Sequence, residues 1–600
     1  MNMKLESVTR FDKGIAGNID SVFHQHFDIF SDPHRLIPYR STEAEANATS
    51  AANLGTYYPR HFLLAKSGKM YALGNNLSGK AQILEKADPT TGTWGLSTTA
   101  ASANNLIYGS FIEWAGALWY FTGTASVTKW VTATNTLTDG VSSITLTTIT
   151  SVAHAVIGAD DNMYMFYNNK VVKVTNAGVV SDNILTNLPS DMRIVSACRW
   201  GSYIAIGMAY GTSAIGVPSG VSKVFIWDMV TTTTVNDVVD WGEGALRVLG
   251  NIEGRLVGVS DKYLTSSTGL TSLAVGQGAM VVRMWAGATP QVKAEIVANQ
   301  SVTADTGTFA SVVTRFQRDV VVKDNRMYWV ASVPFGASTS TESTYHLGIW
   351  AFGRKDVNSD FALSLDYVEE AVDTANYYIN SFGNAGNYWF ISHGAAGLVH
   401  KTDDAANYTN TSVYEKVFGN GKDTFKIKGI TAMFDALPSA GQVALSYKKD
   451  EETSFSNIFV FGTDNALRHS ATSIENLTAG GDTVTLTIAS PCVVTLTAHR
   501  LVAGNIIRFS TTGALPTGIT AGLDYYVIST GLATNTFRFS ATSEGSAVNT
   551  SGTQSGTHTL DRTRTLPTYK KIRIRAESTG GAVLTGIAFL PEYIADDNYA

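Results

Sequence analysis

Adjacent carboxylates come closest to being a catalytic pattern in this chain. Asp160 with Asp161, Glu369 with Glu370, Asp403 with Asp404 and Glu451 with Glu452 each set two acids side by side. Glycoside hydrolysis needs a pair of carboxyls flanking a sugar bond. Neighbours on a strand point to opposite faces, however, and all four pairs fall in expected turns or strand ends, where solvated acids are usual. His24 and His26 are two residues apart and face the same way on an extended strand, as metal ligands would, but no third ligand stands near them. His393 lies in a Ser-His-Gly run without the Ser, Cys or Asp partner that nucleophilic catalysis requires. The run VGQGAM holds Gly276 and Gly278 but lacks the third glycine, the following helix and the later acid of a dinucleotide site. The expectation is a protein without catalytic residues, cofactor or metal.

One charge feature stands out near the C-terminus. Arg562, Arg564, Lys570, Lys571, Arg573 and Arg575 place six positive charges and no acid within 14 residues. In KKIRIR, Lys571, Arg573 and Arg575 alternate with Ile572 and Ile574, so one strand face is basic and the other buried. Arg562, Arg564, Lys571, Arg573 and Arg575 are therefore the candidate interaction face, for an acidic neighbouring subunit or for passing DNA. A solvated sheet face is the plain alternative.

The elements that must carry such residues follow from composition and pattern. The chain has 600 residues, too many for one ordinary core, and two to four domains are expected. Charged residues are only 16% and the net charge is 44 − 50 = −6, so no global positive field exists to hold a polyanion. Cys198 and Cys492, nearly 300 residues apart, exclude a disulfide framework or a multi-cysteine metal cluster. The N-terminal run has no apolar stretch of the kind a secretory leader needs, and no 18 apolar residues run uninterrupted, so no membrane span is expected. Short runs such as LGIWAFG, KVFIWDM and KIRIRAE recur between Gly, Asn and Asp turns, which reads as an all-β protein.

One unit returns seven times: an apolar strand, a tight turn, a second strand carrying an aromatic or aliphatic pair, and a third strand. The turns fall at Gly68, Gly116, Asp161, Gly201, Gly254, Asp324 with Asn325, and Gly386. The second members of the pairs are Tyr71, Trp119, Tyr164, Ile204, Leu256, Tyr328 and Trp389. Their spacing of 40 to 72 residues suits repeats that bury their faces by stacking around an axis. The expected fold is a seven-bladed β-propeller over 56–424, with six or eight blades or an array of sandwiches as alternatives. Trp227-Asp228 matches the dipeptide of one propeller class, but the other copies lack it, and Trp227 is read as core.

After residue 424 the repeat stops. Residues 425–470 and 562–600 are expected to pair into one β-sandwich, because neither half has enough strands to be stable alone. Between them, 471–561 is Thr-, Gly- and Ser-rich and reads as a small inserted β-domain. Its elements are the His499 to Gly504 turn, FSTTGALPTG at 509–518, the Asp524-Tyr525-Tyr526-Val527 and Asn535-Thr536-Phe537 strands, and the closing Gly556-Thr557-His558. These resemble a small β-module that recurs in structural proteins of tailed bacteriophages. The order of leading segment, propeller and terminal β-domain is similar to the tail nozzle (tail tubular) proteins of short-tailed phages. Neither resemblance brings a catalytic set with it.

The first 55 residues fit no repeat. Phe23, Phe27, Ile29, Phe30, Leu36 and Ile37 make them too apolar for a free tail, so they are expected to close the propeller or pack on a neighbour. The functional expectation is a structural virion protein of a phage tail, made in the host cytoplasm. It would be a nozzle or tail-tip ring subunit around the DNA ejection channel, in a homo-oligomeric ring guessed to be a hexamer. Its partners would be tail adaptor and fibre proteins and the host surface, with DNA passing without specific binding. The alternative is a receptor- or glycan-binding propeller of a tail fibre or cell surface, with Trp94, Trp114, Trp130 and Trp350 available to stack on sugars. A propeller hydrolase ranks last.

Overall fold

The computed structural model describes residues 6–8, 11, 15, 22–32, 34–45, 58–75, 80–99, 107–122, 127–141, 144, 146, 154–211, 220–263, 278–297, 320–334, 345–368, 379–393, 399–402, 408, 411–419, 423–449, 455–471, 481–497, 499, 501, 503, 506–542, 545–563 and 570–593. Among them the regular elements are strands, and no helix is long and apolar enough to cross a membrane. The chain divides into two compact units, residues 12–33 with 37–414, and residues 1–11, 34–36 and 415–600.

In the larger unit, four-stranded antiparallel sheets follow one another at 58–99, 107–138, 154–181, 192–243 and 245–297, each with its strands in chain order. A sixth sheet holds Val321–Lys323, Arg326–Pro334, Tyr345–Gly353 and Ala362–Val368, and takes Val22–Gln25 in parallel beyond its last strand. The seventh holds Ile379–Ala385, Tyr388–His393 and Val399–Thr402, and its fourth strand is Thr42–Ala44 from the N-terminal segment.

Each sheet packs on the next. Tyr58–Leu64 touches Ile107–Trp114, which touches His154–Ile157, and so on around to Ile379–Ala385, which returns to Tyr58–Leu64 and closes the ring. That arrangement is a β-propeller. The N-terminal segment thus supplies the outer strand of the last sheet, joining the start of the ring to its end.

The core explains why the strands read as near-continuous apolar runs. Tyr71, Leu73 and Ile83 of the first sheet meet Leu118, Tyr120 and Trp130 of the second. Similar clusters join the second to the third, the third to the fourth, the fourth to the fifth, the fifth to the sixth, and the first to the seventh. A strand between two neighbours is covered on both faces, and Met163–Tyr167 is buried at every position. Each large side chain so buried contributes roughly 1.5–3 kcal/mol. The second member of every repeat pair lies in this core.

The turns read from the sequence all adopt positive φ, from 51° at Asp324 to 84° at Gly68. At Gly116 (φ 72°) an added Cβ would meet nothing within 4 Å. Gly116→Ala is therefore expected to destabilise by about 1 kcal/mol, from the left-handed backbone alone. Urea titration followed by tryptophan fluorescence would measure it.

The smaller unit has two sheets and a barrel. One sheet runs Glu6–Val8, Leu584–Tyr593, Phe425–Phe434, Arg468–Ala471. The other runs from residues 415–418 through Ile572–Thr579 and Gln442–Lys449 to Ser456–Phe461. Phe418 meets Phe589, and Phe434 stacks on Phe461, so side chains from both sheets share one interior. Between Arg468–Ala471 and Ile572–Thr579, six strands from Asp482 to Thr563 close into a barrel around Phe509, Tyr525, Phe537 and Phe539.

Three boundaries differ from the sequence reading. Residues 1–55 do not act as one segment, since Glu6–Val8 pairs with the C-terminal strand while Thr42–Ala44 completes the seventh sheet. Residues 415–424 fall in the smaller unit. Arg468–Ala471 pairs with Phe425–Phe434, so the barrel's strands begin at Asp482.

Candidate interaction face

The basic face forms on Ile572–Thr579, a strand whose odd-numbered residues point away from the shared interior. Ile572, Ile574 and Ala576 are buried, while Arg573, Arg575 and Glu577 are partly exposed. Lys570 and Lys571, just before the strand, are exposed. Pairing with Gln442–Lys449 sets Lys448 opposite Arg573 and Ser446 opposite Arg575.

The two arginines share one acid. Glu415, itself buried, accepts from Arg575 Nε at 2.7 Å and from Arg573 Nη1 at 3.2 Å. Arg575 Nη1 also lies 3.6 Å from Glu577 Oε1, and its guanidinium covers the Phe455 ring at 3.8 Å. Lys448 Nζ sits 4.8 Å from the same ring. Cations over aromatic faces gain roughly 0.5–2 kcal/mol each.

The face is thus a half-neutralised network with an aromatic platform, and its two arginines are held in place by it. Arg562 lies on the barrel strand His558–Thr563, but its side chain is outside the described residues, as is the whole of Arg564. Removing Glu415 leaves two poorly hydrated cations unpaired, so Glu415→Ala is expected to lose about 2 kcal/mol, with Glu415→Gln intermediate. Thermal melts of the purified variants would give the order.

The other candidates are spread through the fold. Among the described residues no group of three His, Cys, Asp or Glu could hold a metal. His24 and His26 are both fully buried, and no ring nitrogen of either makes a hydrogen bond among the described residues. Asp160 accepts from Asn162, Tyr164 and Lys173 in a turn. Desolvation pushes its carboxyl up, but these bonds outweigh it and hold the group at about 2. An acid so held suits a turn cap and not proton transfer near neutrality.

Glu369, Glu370, Asp403, Asp404, Glu451, Glu452 and Gly276 fall outside the described residues, as does the side chain of His393. Trp227 is core, its indole donating to the Thr231 carbonyl. Burial pushes the Cys198 thiol up to about 12, which leaves it unreactive. Trp94, Trp114, Trp130 and Trp350 are 2%, 6%, 3% and 0% exposed, so none is a platform for sugars.

Two polar clusters escaped the sequence reading. Glu45, just past the closing strand, accepts from Lys86 Nζ at 2.5 Å and Trp94 Nε1 at 2.8 Å, and lies 3.6 Å from Lys401 Nζ. It ties the first and seventh sheets to the segment that closes the ring.

The second cluster surrounds Asp366, buried beside Tyr39, Tyr328, Tyr367 and Arg326. Its carboxylate accepts from Ser364 Oγ and, at 3.1 Å, from the Tyr39 hydroxyl. Desolvation raises it to about 7, against the pull of Arg326. An acid inside the otherwise uncharged strand ALSLDYV was the available signal.

No family model matches the chain, and no curated protein matches it. Among solved structures, the β-propeller domain of Myceliophteria thermophila Cps50 (Swd1) is similar over 57% of this chain and 96% of its own, at 10% identity and a TM-score of 0.36. The WD40 domain of Neurospora crassa Pan2 is similar over 62% and 95%, again at 10% identity and a TM-score of 0.36. A computationally designed protein, Ika8, is similar over 61% and 99%, at 10% identity and a TM-score of 0.32. Likenesses this distant say nothing of activity or partners, and the propeller assignment rests on the closed ring of sheets.

Proposed function

We propose that the protein is a structural subunit of a phage tail, built as a seven-bladed propeller and a β-sandwich that carries the inserted barrel, and assembled as a ring around the DNA ejection channel. The observation that carries this reading is the barrel. The segment whose sequence resembles a module of tailed-phage structural proteins folds as a closed unit between two strands of the smaller unit. Closed barrels leave no unpaired strand edge, which suits a module displayed in a crowded assembly.

The internal pairing of ionisable groups supports the same reading. Arg573 and Arg575 are engaged by Glu415, Lys86 by Glu45, and Arg247 by Asp261. Such a chain gives rigid bulk and little adhesion to DNA. Rings form through heterologous contacts that close. Glycan binding is not favoured, because its four named tryptophans lie in the core.

Sedimentation of the purified protein, alone and mixed with tail adaptor complexes, tests the proposal. It expects a discrete ring-sized oligomer or capture by the adaptor. A monomer at high concentration that ignores the adaptor opposes it.

A further inference from the structure

The strand Val22–Gln25 is a wedge in the larger unit. In strand order it lies between Ala362–Val368 and Ser412–Phe418. Its ladder with Ala362–Val368 has one described partner pair, Gln25 with Leu365. The Ile15 amide donates to the Leu363 carbonyl and the His26 amide to the Leu365 carbonyl, while the His26 carbonyl accepts from Ser412 Oγ and the Tyr39 amide. His26 holds φ at 59°, in the left-handed region that non-glycine residues adopt uncommonly.

Two imidazoles are sealed in by this wedge. Among the described residues no ring nitrogen of His24 or His26 makes a hydrogen bond of good geometry, with the backbone of Leu363 beside the first and that of Tyr39 and Asp366 beside the second. The rings of Tyr39 and Tyr367 stand 6.3 Å and 5.9 Å from that of His26. A charged imidazole there would be cut off from solvent, with desolvation the largest influence on both rings.

We propose that Val22–Gln25 with His26 is an acid-released wedge, expelled from its place beside Ala362–Val368 and residues 412–414 when its two histidines take up protons, while the ring of sheets stays folded. The groups facing the site come from several elements. The wedge and its continuation supply His24, His26, Asp28 and Tyr39, and the sixth sheet supplies Asp366, Tyr367, Tyr328 and Arg326. The seventh sheet supplies Trp389, which cannot titrate, and residues 412–414 supply Ser412 and the buried Tyr414, whose hydroxyl is held well above its usual range by burial.

Burial holds His24 down to about 3 and His26 to about 4, against the backbone of Leu363 for the first and of Tyr39 and Asp366 for the second. Released, both return toward 6.5 and bind protons between there and pH 4. Asp366 works the other way. In place it keeps its proton up to about 7, and once exposed it releases it down to about 3.8. Between about pH 4 and 6.5 release therefore takes up 2 − 1 = 1 proton net, and the release equilibrium moves about tenfold per pH unit toward the open form on acidification.

Hydrogen–deuterium exchange of the full chain from pH 4 to 7.5, corrected for intrinsic exchange, tests this. Protection of 22–31 should fall about tenfold per pH unit below 6.5, while Met163–Tyr167 in the third sheet keeps its protection. Asp366→Asn removes the opposing proton, so the dependence should steepen to about a hundredfold per unit. In His24→Leu/His26→Leu only Asp366 remains, so the sign should reverse and the wedge should hold more tightly in acid. Protection of 22–31 that stays flat with pH, or that is lost only together with that of the third sheet, overturns the proposal. An unchanged slope in Asp366→Asn overturns it too, even if the double variant does not fold.

Discussion

Glu45→Ala should cut the stability of the larger unit by about 3 kcal/mol or more and open the ring where it closes. Lys86 is 2% exposed and its ammonium has Glu45 as its ion pair. Desolvation already lowers its proton affinity, and the Glu45 carboxylate opposes that loss. Removing one partner of a buried pair strands the other, which costs about 3–5 kcal/mol. The same substitution removes the acceptor of the Trp94 indole and the anion beside Lys401. The closing strand Thr42–Ala44 has three ladder partners, and just past it the Glu45 amide donates to the Val399 carbonyl, so the bonds that hold it end at the residue being changed. Denaturant melts would give the loss, and exchange at 42–44 would show whether that strand opens first. Glu45→Gln, which can still accept from Trp94, should lose less.

Gly348→Ala should be comparably damaging for a different reason. Gly348 pairs with Val368 in the sixth sheet, beside a bulge between Ile349 and Trp350. A Cβ there would lie 1.9 Å from the Tyr367 carbonyl oxygen, which is backbone and cannot rotate away. The ladder must part to admit one methyl group. Overpacking of this kind costs about 1–3 kcal/mol and occasionally more, and the upper end is expected, because Trp350 and Leu365 pack in the cluster shared with the fifth sheet. The contrast with Gly116→Ala separates steric from conformational cost, since at Gly116 the added carbon meets nothing within 4 Å. A smaller loss for Gly348→Ala than for Gly116→Ala in the same titration would contradict the register described for the sixth sheet.

What was legible in the sequence is what local chemistry dictates. Asp161, Asp324 and Asn325 announced tight turns because few other residue types accept positive φ, and all three adopt it. Met70 with Tyr71 and Met327 with Tyr328 announced core strands because two consecutive apolar residues suit a strand covered on both faces. The alternation in KKIRIR placed Arg573 and Arg575 on one face and Ile572 and Ile574 inside, as they are.

Illegible features depended on distant parts of the chain. Glu415 lies 158 and 160 positions from the arginines it holds, and nothing around it marks it as their partner. Thr42–Ala44 is too short for a period to show, and its role is defined by Val399–Thr402. Asp366 looked like an isolated acid, and its environment is made by Tyr39 from the N-terminal segment and by Arg326 and Tyr328 from the strand Arg326–Pro334, far from it in sequence. A basic run in a sequence gives the charges but not their counter-ions, and the candidate face changed meaning most for that reason.

The central claim, a ring subunit of a phage tail, is tested most directly by electron microscopy of the purified protein alongside the particle that carries it, labelled through an antibody to the barrel. The account predicts closed rings with an open centre and label at the tail tip. Single propellers without ring symmetry, with label absent from the tail, would contradict it.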